Sequence, residues 1–149
     1  MTLPEQERER FCQVLHHSRT SLYRLAFSIT RNSSDAQEAV AEAVCRAYER
    51  YPQLREKEKL PRWLLKITAN EARRLCQRRG RTVSLDDLPT EPAIPGRETG
   101  DDTLWQAVQT LPRDQREAVV LFYYEDLPTE EIARIVGTSP GAVRVRLSR

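Results

Sequence analysis

Two stretches of the 149-residue chain are rich in cationic side chains. The C-terminal segment TEEIARIVGTSPGAVRVRLSR, residues 129–149, ends with arginines at positions 144, 146 and 149. Upstream, residues 62–81 carry seven basic side chains against one acidic side chain, Glu71. Cations in such an arrangement bind phosphates, and a guanidinium group also donates paired hydrogen bonds to base edges. Both stretches therefore suggest polyanion-binding surfaces, with an ordinary solvated helix face as the alternative.

The spacing of three small or branched residues predicts that the C-terminal segment is a helix-turn-helix. Ala133 lets the second helix cross the first closely, Gly137 permits a positive φ in the turn, and Val143 points back into the core. Ser139 and Pro140 suit the N-cap and the first position of the second helix. The outward residues are then Thr138, Ser139, Gly141, Arg144, Arg146 and Arg149. A plain helical hairpin with solvated arginines is the alternative.

Helical periodicity also runs through the first half of the chain, which shows no strand-like alternation. The first helix has an apolar face with a spacing of three or four residues: Phe11, Leu15, Ser18, Leu22, Leu25 and Ile29. Ser34 and Gln37 have capping-box spacing at the start of a second helix, which ends before Pro52. Pro61 and Gly80 bracket a third helix. Its core-facing residues are Leu64, Ile67, Ala72 and Leu75, and its other side carries Trp63, Asn70 and Arg74.

The composition changes abruptly at residue 82. Residues 82–102 contain three prolines, two glycines and six acidic side chains against one basic side chain, which predicts a flexible acidic linker. Helical patterning returns at Leu104, Val108 and Leu111 and continues through RDQREAVVLFYYEDL. The predicted fold is therefore all-α, with two small helical domains, 1–81 and 103–149, joined by the linker 82–102.

The titratable side chains outside these stretches do not suggest catalysis. His16 and His17 are adjacent, so they cannot share a helix face as metal ligands, and we expect them at the surface. Cys12 and Cys45 lie near apolar faces and are expected in the core, whereas Cys76 lies among arginines that would lower its pKa and favour redox sensing. There is no CxxC pair, nucleophile–base pair or P-loop, so we expect a protein that is not an enzyme and uses no metal or cofactor.

The chain lacks an apolar N-terminal segment and an apolar run of about 18 residues. We therefore expect a cytoplasmic protein without membrane insertion.

In the order of its segments, the chain resembles the extracytoplasmic-function (ECF) sigma factors of the sigma-70 family. LPRDQREAVVLFYYEDLPTEEIARIVGTSPGAVRVRLSR resembles region 4 of that family. LYRLAFSITRNSSDAQEAVAEAVCRAY resembles regions 2.1 and 2.2, RWLLKITANEARRLCQRRGR resembles regions 2.3 and 2.4, and SLDDLP stands in the linker position. The resemblance implies two helical domains, a region 2 bundle and a region 4 helix-turn-helix. It also implies a role as a dissociable initiation subunit of bacterial RNA polymerase.

The resemblance further implies three binding surfaces. Region 2.2 of the family docks on the clamp helices of the polymerase β′ subunit, which assigns Asp35, Glu38, Glu42 and Arg46. Regions 2.3 and 2.4 open the −10 element and capture unpaired bases, which assigns Trp63, Lys66, Asn70, Arg73, Arg74, Arg78 and Arg79, with the loop 55–59. Region 4 reads the −35 element, which assigns Thr138, Ser139, Arg144, Arg146 and Arg149. The β flap of the polymerase and an anti-sigma factor clamped between the domains are the other implied partners.

Physical chemistry independently favours the −10 assignment. Unpaired DNA presents phosphates and base faces, so its binding site needs cations mixed with stacking and amide side chains. Trp63 and Asn70 among arginines and Lys66 meet that need. The alternatives are that Trp63 belongs to the core and that Asn70 completes a hydrogen bond within the bundle. For duplex DNA, a rigid helix with arginine forks suits the major groove, and any of its arginines fits either a base or a phosphate.

Some positions depart from the family pattern. In the first domain, three residues replace the usual glutamine, large apolar residue and aspartate, respectively: Ala41, Val44 and Arg74. In the recognition helix the usual GTVxSR appears as GAVRVR, so Ala142 and Val145 replace two hydroxyl-bearing residues. The family continues with further basic residues after the position of Arg149. We expect a recognition helix that ends there to bind duplex DNA more weakly.

Three functions fit these features. The first is a promoter-recognition subunit that acts only with RNA polymerase, responds to stress or envelope signals and is held by an anti-sigma factor. The second is a free-standing helix-turn-helix regulator, which predicts tight operator binding without polymerase, usually as a dimer. The third is a degenerate sigma paralogue that acts as an interaction protein, which predicts neither activity.

Overall fold

The computed structural model describes residues 4–79 and 102–148. In these two ranges the chain forms helices and turns, and no strand occurs, so the prediction of an all-α fold is confirmed. The first range contains α1 (Glu5–Thr30), α2 (Ser33–Arg50) and α3 (Leu60–Arg79). The second contains α4 (Asp102–Gln109), α5 (Arg113–Val119), α6 (Thr129–Val136) and α7 (Pro140–Leu147). The predicted linker lies outside the described residues except for Asp102, which begins α4, and so does the predicted helix stop at Gly80.

Helices α1 to α3 pack as a three-helix bundle, which we call the N lobe. The predicted apolar face of α1 is largely buried, with Phe11, Leu22, Leu25 and Ile29 each at most 2% exposed. Phe11 packs edge-on against Tyr48 and Tyr51, with 5.4 Å between ring centroids in each pair. The inner side of α2 consists of fully buried small residues, Ala36, Ala39, Ala43 and Ala47. Because these side chains are so short, α2 lies close against its neighbours.

The start of α2 differs from the sequence prediction. Its N-cap is Asn32, whose Oδ1 accepts a hydrogen bond from the Asp35 N–H at 2.9 Å. Arg31 ends α1 in the left-handed conformation, with φ of 53°, so the chain turns sharply and leaves Asn32 extended. This turn places Ser34 inside the first turn of α2. The capping box of Ser34 and Gln37 was therefore wrong, because the sharper turn starts the helix earlier.

Helices α4 to α7 form the second unit, which we call the C lobe. Helix α4 buries Trp105 and Val108 and leaves Leu104 52% exposed, although the sequence placed Leu104 in the apolar pattern. After α5 the chain continues as a π-helix over Val120–Tyr124 instead of a regular α-helix. The wider π turn carries an extra residue, which changes the register of the side chains. In this segment Val120 and Leu121 are buried, and Phe122 and Tyr123 are exposed.

The two lobes pack against each other and share buried residues. Phe27 of α1 lies 6.3 Å from Trp105 of α4, measured between ring centroids. Trp105 in turn meets Tyr124 edge-on at 5.7 Å. Helix α1 contacts α5 and the π-helix, and α3 contacts α6. The described parts of the two lobes therefore form one continuous apolar core.

Cys12 and Cys45 differ from their predicted positions, whereas the histidines do not. Cys12 and Cys45 are exposed, because each lies beside an apolar stripe and points away from it. Cys76 is partly buried, and its Sγ donates to the carbonyl oxygen of Ile29 at 3.6 Å. Burial raises the pKa of the Cys76 thiol, and the opposing effect of Arg113 is smaller, so the predicted lowering was wrong. His16 and His17 are exposed, as predicted.

Candidate nucleic-acid interface

Helices α6 and α7 form the helix-turn-helix that the sequence predicted. Gly137 ends α6 with φ of 78°, and its N–H donates to the carbonyl oxygen of Ala133 at 2.9 Å. Ser139 then caps α7, since its Oγ accepts a hydrogen bond from the Ala142 N–H at 3.1 Å. Val143 is fully buried and anchors α7 to the lobe. The predicted roles of these residues in the turn and core are therefore confirmed.

One face of α7 is directed to solvent. Its exposed residues are spaced by three, one and three positions, as expected for one side of a helix: Gly141, Arg144, Val145 and Ser148. Arg146 lies on the other side, half-buried near Val143, so it does not share that face. Thr138 is half-buried, and the exposed Ser139 uses its hydroxyl for the cap. Of the predicted arginines, Arg144 is on the exposed face, and Arg149 lies outside the described residues.

The basic residues of α3 divide into two groups. One group is exposed on the N lobe and consists of Lys66, Arg74 and Arg78, with the uncharged Asn70 on the same face. Within it, Arg74 forms an ion pair with Glu71 at 3.5 Å. Trp63 is half-buried and packs against the core. This position is compatible with both roles considered for it, a core residue and a contact to unpaired bases. The side chain of Arg79 lies outside the described residues.

The second group, Arg73 and Arg62, contacts the C lobe, and Arg62 does so from an exposed position. Arg73 Nη2 donates to Glu117 Oε1 at 2.9 Å and to the carbonyl oxygen of Ile135 at 3.4 Å. Arg73 Nη1 also donates to Asn70 Oδ1 at 3.2 Å. Arg62 Nη1 lies 3.3 Å from Glu131 Oε2 of α6. Two cations of the basic stretch are therefore held by carboxylates of the C lobe.

Arg116 strengthens the same lobe interface from the C lobe. Its Nε donates to the carbonyl oxygen of Ser28 at 2.6 Å, and its Nη1 donates to that of Leu111 at 2.8 Å. Burial lowers the pKa of Arg116 to about 10, with smaller lowering effects from Arg31 and Arg113. The guanidinium remains charged at neutral pH, because this value is still far above 7. It therefore joins the lobes as a buried cation that is hydrogen-bonded to carbonyl groups.

A further ion pair joins α1 to the end of the π-helix. Arg24 Nη1 donates to Glu125 Oε2 at 3.2 Å, and its guanidinium lies 4.6 Å from the centre of the Tyr124 ring. Burial raises the pKa of Glu125, while a hydrogen bond with Ser21 and the charge of Arg24 oppose that change.

The sequence did not lead us to expect four of the residues that join the lobes: Arg24, Arg116, Glu117 and Glu125. The available signal was the charged pair Arg116 and Glu117 directly before the buried run Ala118, Val120 and Leu121.

The predicted polymerase-binding residues lie along α2. Glu38 and Glu42 are exposed, and Asp35 is half-buried. Arg46 is attached to α3, since its Nε lies 2.7 Å from Oε2 of the buried Glu71.

The loop before α3 is also tied down. Lys57 Nζ donates to the carbonyl oxygens of Tyr51 at 2.6 Å and Leu54 at 2.8 Å. Lys57 therefore closes the end of the preceding turn, in addition to any role toward DNA.

No group of three or more His, Cys, Asp or Glu side chains in residues 4–79 and 102–148 could hold a metal ion. None of the helices within those ranges is both long and apolar enough to cross a membrane.

The fold and its surfaces define a two-lobed helical protein that carries a helix-turn-helix. Comparison with known families gives the same division. The profile for Sigma-70 region 2 matches residues 14–82, and that for Sigma-70, region 4, matches residues 101–149. The chain therefore belongs to the sigma-70 family, and within it to the ECF sigma factors, which are transcription initiation factors.

Individual relatives support this membership. The chain is 33% identical over 129 residues to the RNA polymerase sigma factor SigV of Bacillus subtilis, covering 85% of this chain and 78% of SigV. It is 30% identical over 139 residues to the ECF RNA polymerase sigma factor SigE of Mycolicibacterium smegmatis, covering 86% of this chain and 53% of SigE. The chain thus spans about half the length of SigE.

A solved structure shows the same fold. The sigma factor RpoE from Bartonella quintana, in complex with the anti-sigma factor NepR, superposes with a TM-score of 0.77 and 26% identity. The match covers 95% of this chain and 91% of RpoE, so it includes both lobes.

Proposed function

We propose that this chain is a cytoplasmic initiation subunit that binds core RNA polymerase and directs it to promoters through their −10 and −35 elements. It has no catalytic activity of its own in this proposal. The observation that carries the proposal is the geometry of α7: Val143 anchors one side in the core while Arg144 stands on the exposed side. Such a rigid, half-exposed helix is the form in which a helix-turn-helix enters the major groove. The proposed domain limits are 1–81, 82–102 and 103–149.

In this proposal α7 binds the −35 element as a duplex. Arg144 can donate a forked pair of hydrogen bonds to guanine O6 and N7 or to a phosphate. Thr138 and Ser139 lie at the start of α7, where backbone N–H groups favour a phosphate. Arg146 is assigned to the backbone of the DNA, because it is half-buried at the side of the reading face. Arg149 keeps its assignment from the sequence.

The exposed face of α3 binds the unpaired −10 strand in the proposal. Lys66, Arg74 and Arg78 provide cations for phosphates, and Asn70 provides an amide for a base edge. Trp63 and Arg79 keep their assignments to the same surface. Mixed cationic and amide side chains on one exposed helix face support this role over that of a solvated surface.

Two surfaces are proposed for the polymerase. The exposed acids of α2, Glu38 and Glu42, together with Asp35 and Arg46, would meet the β′ clamp helices. In the C lobe, Phe122 and Tyr123 are exposed on the π-helix and would meet the β flap. Large exposed apolar side chains that stand together on a surface commonly mark a protein–protein contact.

The closed packing of the lobes has a consequence for this function. Arg73 is held by the buried Glu117 of the C lobe, so it is not available to DNA in this arrangement, whereas Arg62 pairs with Glu131 and stays 47% exposed. We infer that the lobes separate when the chain engages polymerase and promoter. The superposition on RpoE spans both lobes, and RpoE is bound there to an anti-sigma factor. This supports an anti-sigma factor that holds the present chain with its lobes together.

Transcription with purified core RNA polymerase tests the proposal. The full chain is mixed with core enzyme and a pool of randomised duplex templates, and the transcribed templates are sequenced. We expect a shared −10 and −35 pattern among them. Arg144→Ala should lose that pattern while still co-migrating with core enzyme. Arg19→Ala, which removes an exposed arginine from α1, is the control and should behave like the unaltered chain.

Other outcomes would assign the chain to another class. A chain that never co-migrates with core enzyme is not an initiation subunit. Tight binding to a palindromic duplex without polymerase would favour the free-standing regulator, and the absence of both activities would favour an interaction protein.

A further inference from the structure

The exposed face of α7 contains an apolar side chain where a polar one would be expected. Val145 is 52% exposed, directly beside Arg144 and one turn after Gly141. A single exposed valine on a protein surface is ordinary. This valine is different because it lies on the face that the proposed function directs toward DNA. Its neighbours on that face are a cation, a glycine and a small hydroxyl residue, Ser148.

The geometry of α7 leaves Val145 clear of the protein core. Val143, which faces the opposite side of the helix, is fully buried, and Leu147 on that side is partly buried against the core. Residues two positions apart in a helix point about 200° apart, so Val145 and Val143 cannot share a side. The two methyl groups of Val145 therefore make no contact with the core that DNA binding would break.

The major groove offers one apolar feature on its base edges, the C5 methyl group of thymine. We propose that Val145 contacts the methyl group of a thymine in the −35 duplex, so that this chain selects thymine at one position. The proposal rests on the proposed function, since α7 must first lie in a major groove. Glycine at position 141, one turn earlier, brings no side chain between this part of the helix and the bases.

The residue type also separates this chain from the usual family pattern. A serine at position 145 offers a hydroxyl group, which hydrogen-bonds a phosphate or a base edge. Valine offers neither a donor nor an acceptor, so it discriminates through the burial of methyl groups. Burial of one methyl group corresponds to about a fourfold change in affinity, which is about 0.8 kcal/mol.

Replacement of thymine by deoxyuridine isolates this contact, because the two bases pair identically and differ by one methyl group. A promoter duplex is first obtained by selection from randomised DNA with the full chain bound to core RNA polymerase. Each thymine of its −35 element is then replaced singly with deoxyuridine, and the binding of the complex is measured. We expect one replacement to weaken binding about fourfold.

Two variants complete the experiment. Val145→Ser should bind the thymine and deoxyuridine duplexes equally at that position. Leu104→Ala removes an equally exposed aliphatic side chain from α4 and should keep the fourfold difference. If selection with the complex yields no promoter, the proposed function fails. If a promoter is selected but no thymine replacement weakens binding, or Val145→Ser keeps the difference, the proposed function stands and the thymine contact is overturned.

Discussion

The pair of Arg73 and Glu117 allows a quantitative test of the closed arrangement. The two side chains meet at 2.9 Å, with Glu117 3% exposed and Arg73 24% exposed. Glu117→Gln keeps the shape and one acceptor oxygen but removes the charge. Hydrogen bonds to charged groups contribute about 1.5–3 kcal/mol and neutral ones about 0.5–1.5 kcal/mol. Because Arg73 is partly solvated and also bonds Asn70, we expect the closed arrangement to lose about 1 kcal/mol.

Binding to unpaired DNA reports this loss. If only the open chain presents Arg73 to DNA, the apparent Kd equals the intrinsic Kd divided by the open fraction. A loss of about 1 kcal/mol raises a small open fraction about fivefold, so Glu117→Gln should bind about five times more tightly. The assay is the fluorescence anisotropy of a short labelled single-stranded DNA. All measurements use one salt concentration, since affinity for nucleic acid falls steeply with salt.

The control separates lobe opening from net charge. Glu130→Gln removes one negative charge from an exposed position on α6 of the same lobe. It should strengthen DNA binding far less than Glu117→Gln does. Equal affinities of the two variants, with both shown to be folded by thermal melting, would refute the reasoning that this ion pair keeps Arg73 from DNA.

Three further predictions concern local structure. Gly137→Ala should lower the free energy of unfolding by about 1 kcal/mol, because φ is 78° at that position, whereas Gly141→Ala inside α7 should raise it by about 0.5–1 kcal/mol. Denaturant melts in which both variants shift in the same direction would contradict this. Cys76 should react with iodoacetamide more slowly than the exposed Cys12, since burial raises the pKa of the Cys76 thiol and keeps it protonated at neutral pH. Equal reaction rates of the two cysteines, measured by mass spectrometry, would argue against that burial. Asn32→Ala should cost about 1 kcal/mol in a thermal or denaturant melt, and an unchanged midpoint would mean that α2 has another cap.

Much of the fold follows from short-range patterns in the sequence. The helix-turn-helix was predictable because Ala133, Gly137 and Val143 fulfil requirements that act over a few residues: close crossing, positive φ and burial. The core face of α1 was predictable because its spacing matches the helical repeat. Local chemistry also has competing solutions, however. Ser34 resembled a cap, but the left-handed Arg31 starts α2 at an earlier position.

The contacts between the lobes could not be predicted in this way. Arg73 and Glu117 are 44 positions apart, and nothing in the periodicity of α3 distinguishes Arg73 from the exposed Arg74. Their different environments arise when the C lobe docks on α3, which is a property of the assembled shape. The cysteines illustrate the same limit, since Cys12 follows the buried Phe11 directly and yet lies about 100° around the helix from it.

The alanine-lined side of α2 constrains how descendants of this chain can vary. A larger side chain at any of its four buried alanines would push α2 away from its neighbours, at a cost of about 1–3 kcal/mol. The outer side, with Glu38 and Glu42, meets no such barrier, because its residues are exposed. Mutation can therefore change the outer surface while the position of the helix is inherited unchanged. In a lineage that adapts to an altered partner, we expect substitutions to accumulate on the outer side of α2 and to be rare on the inner side.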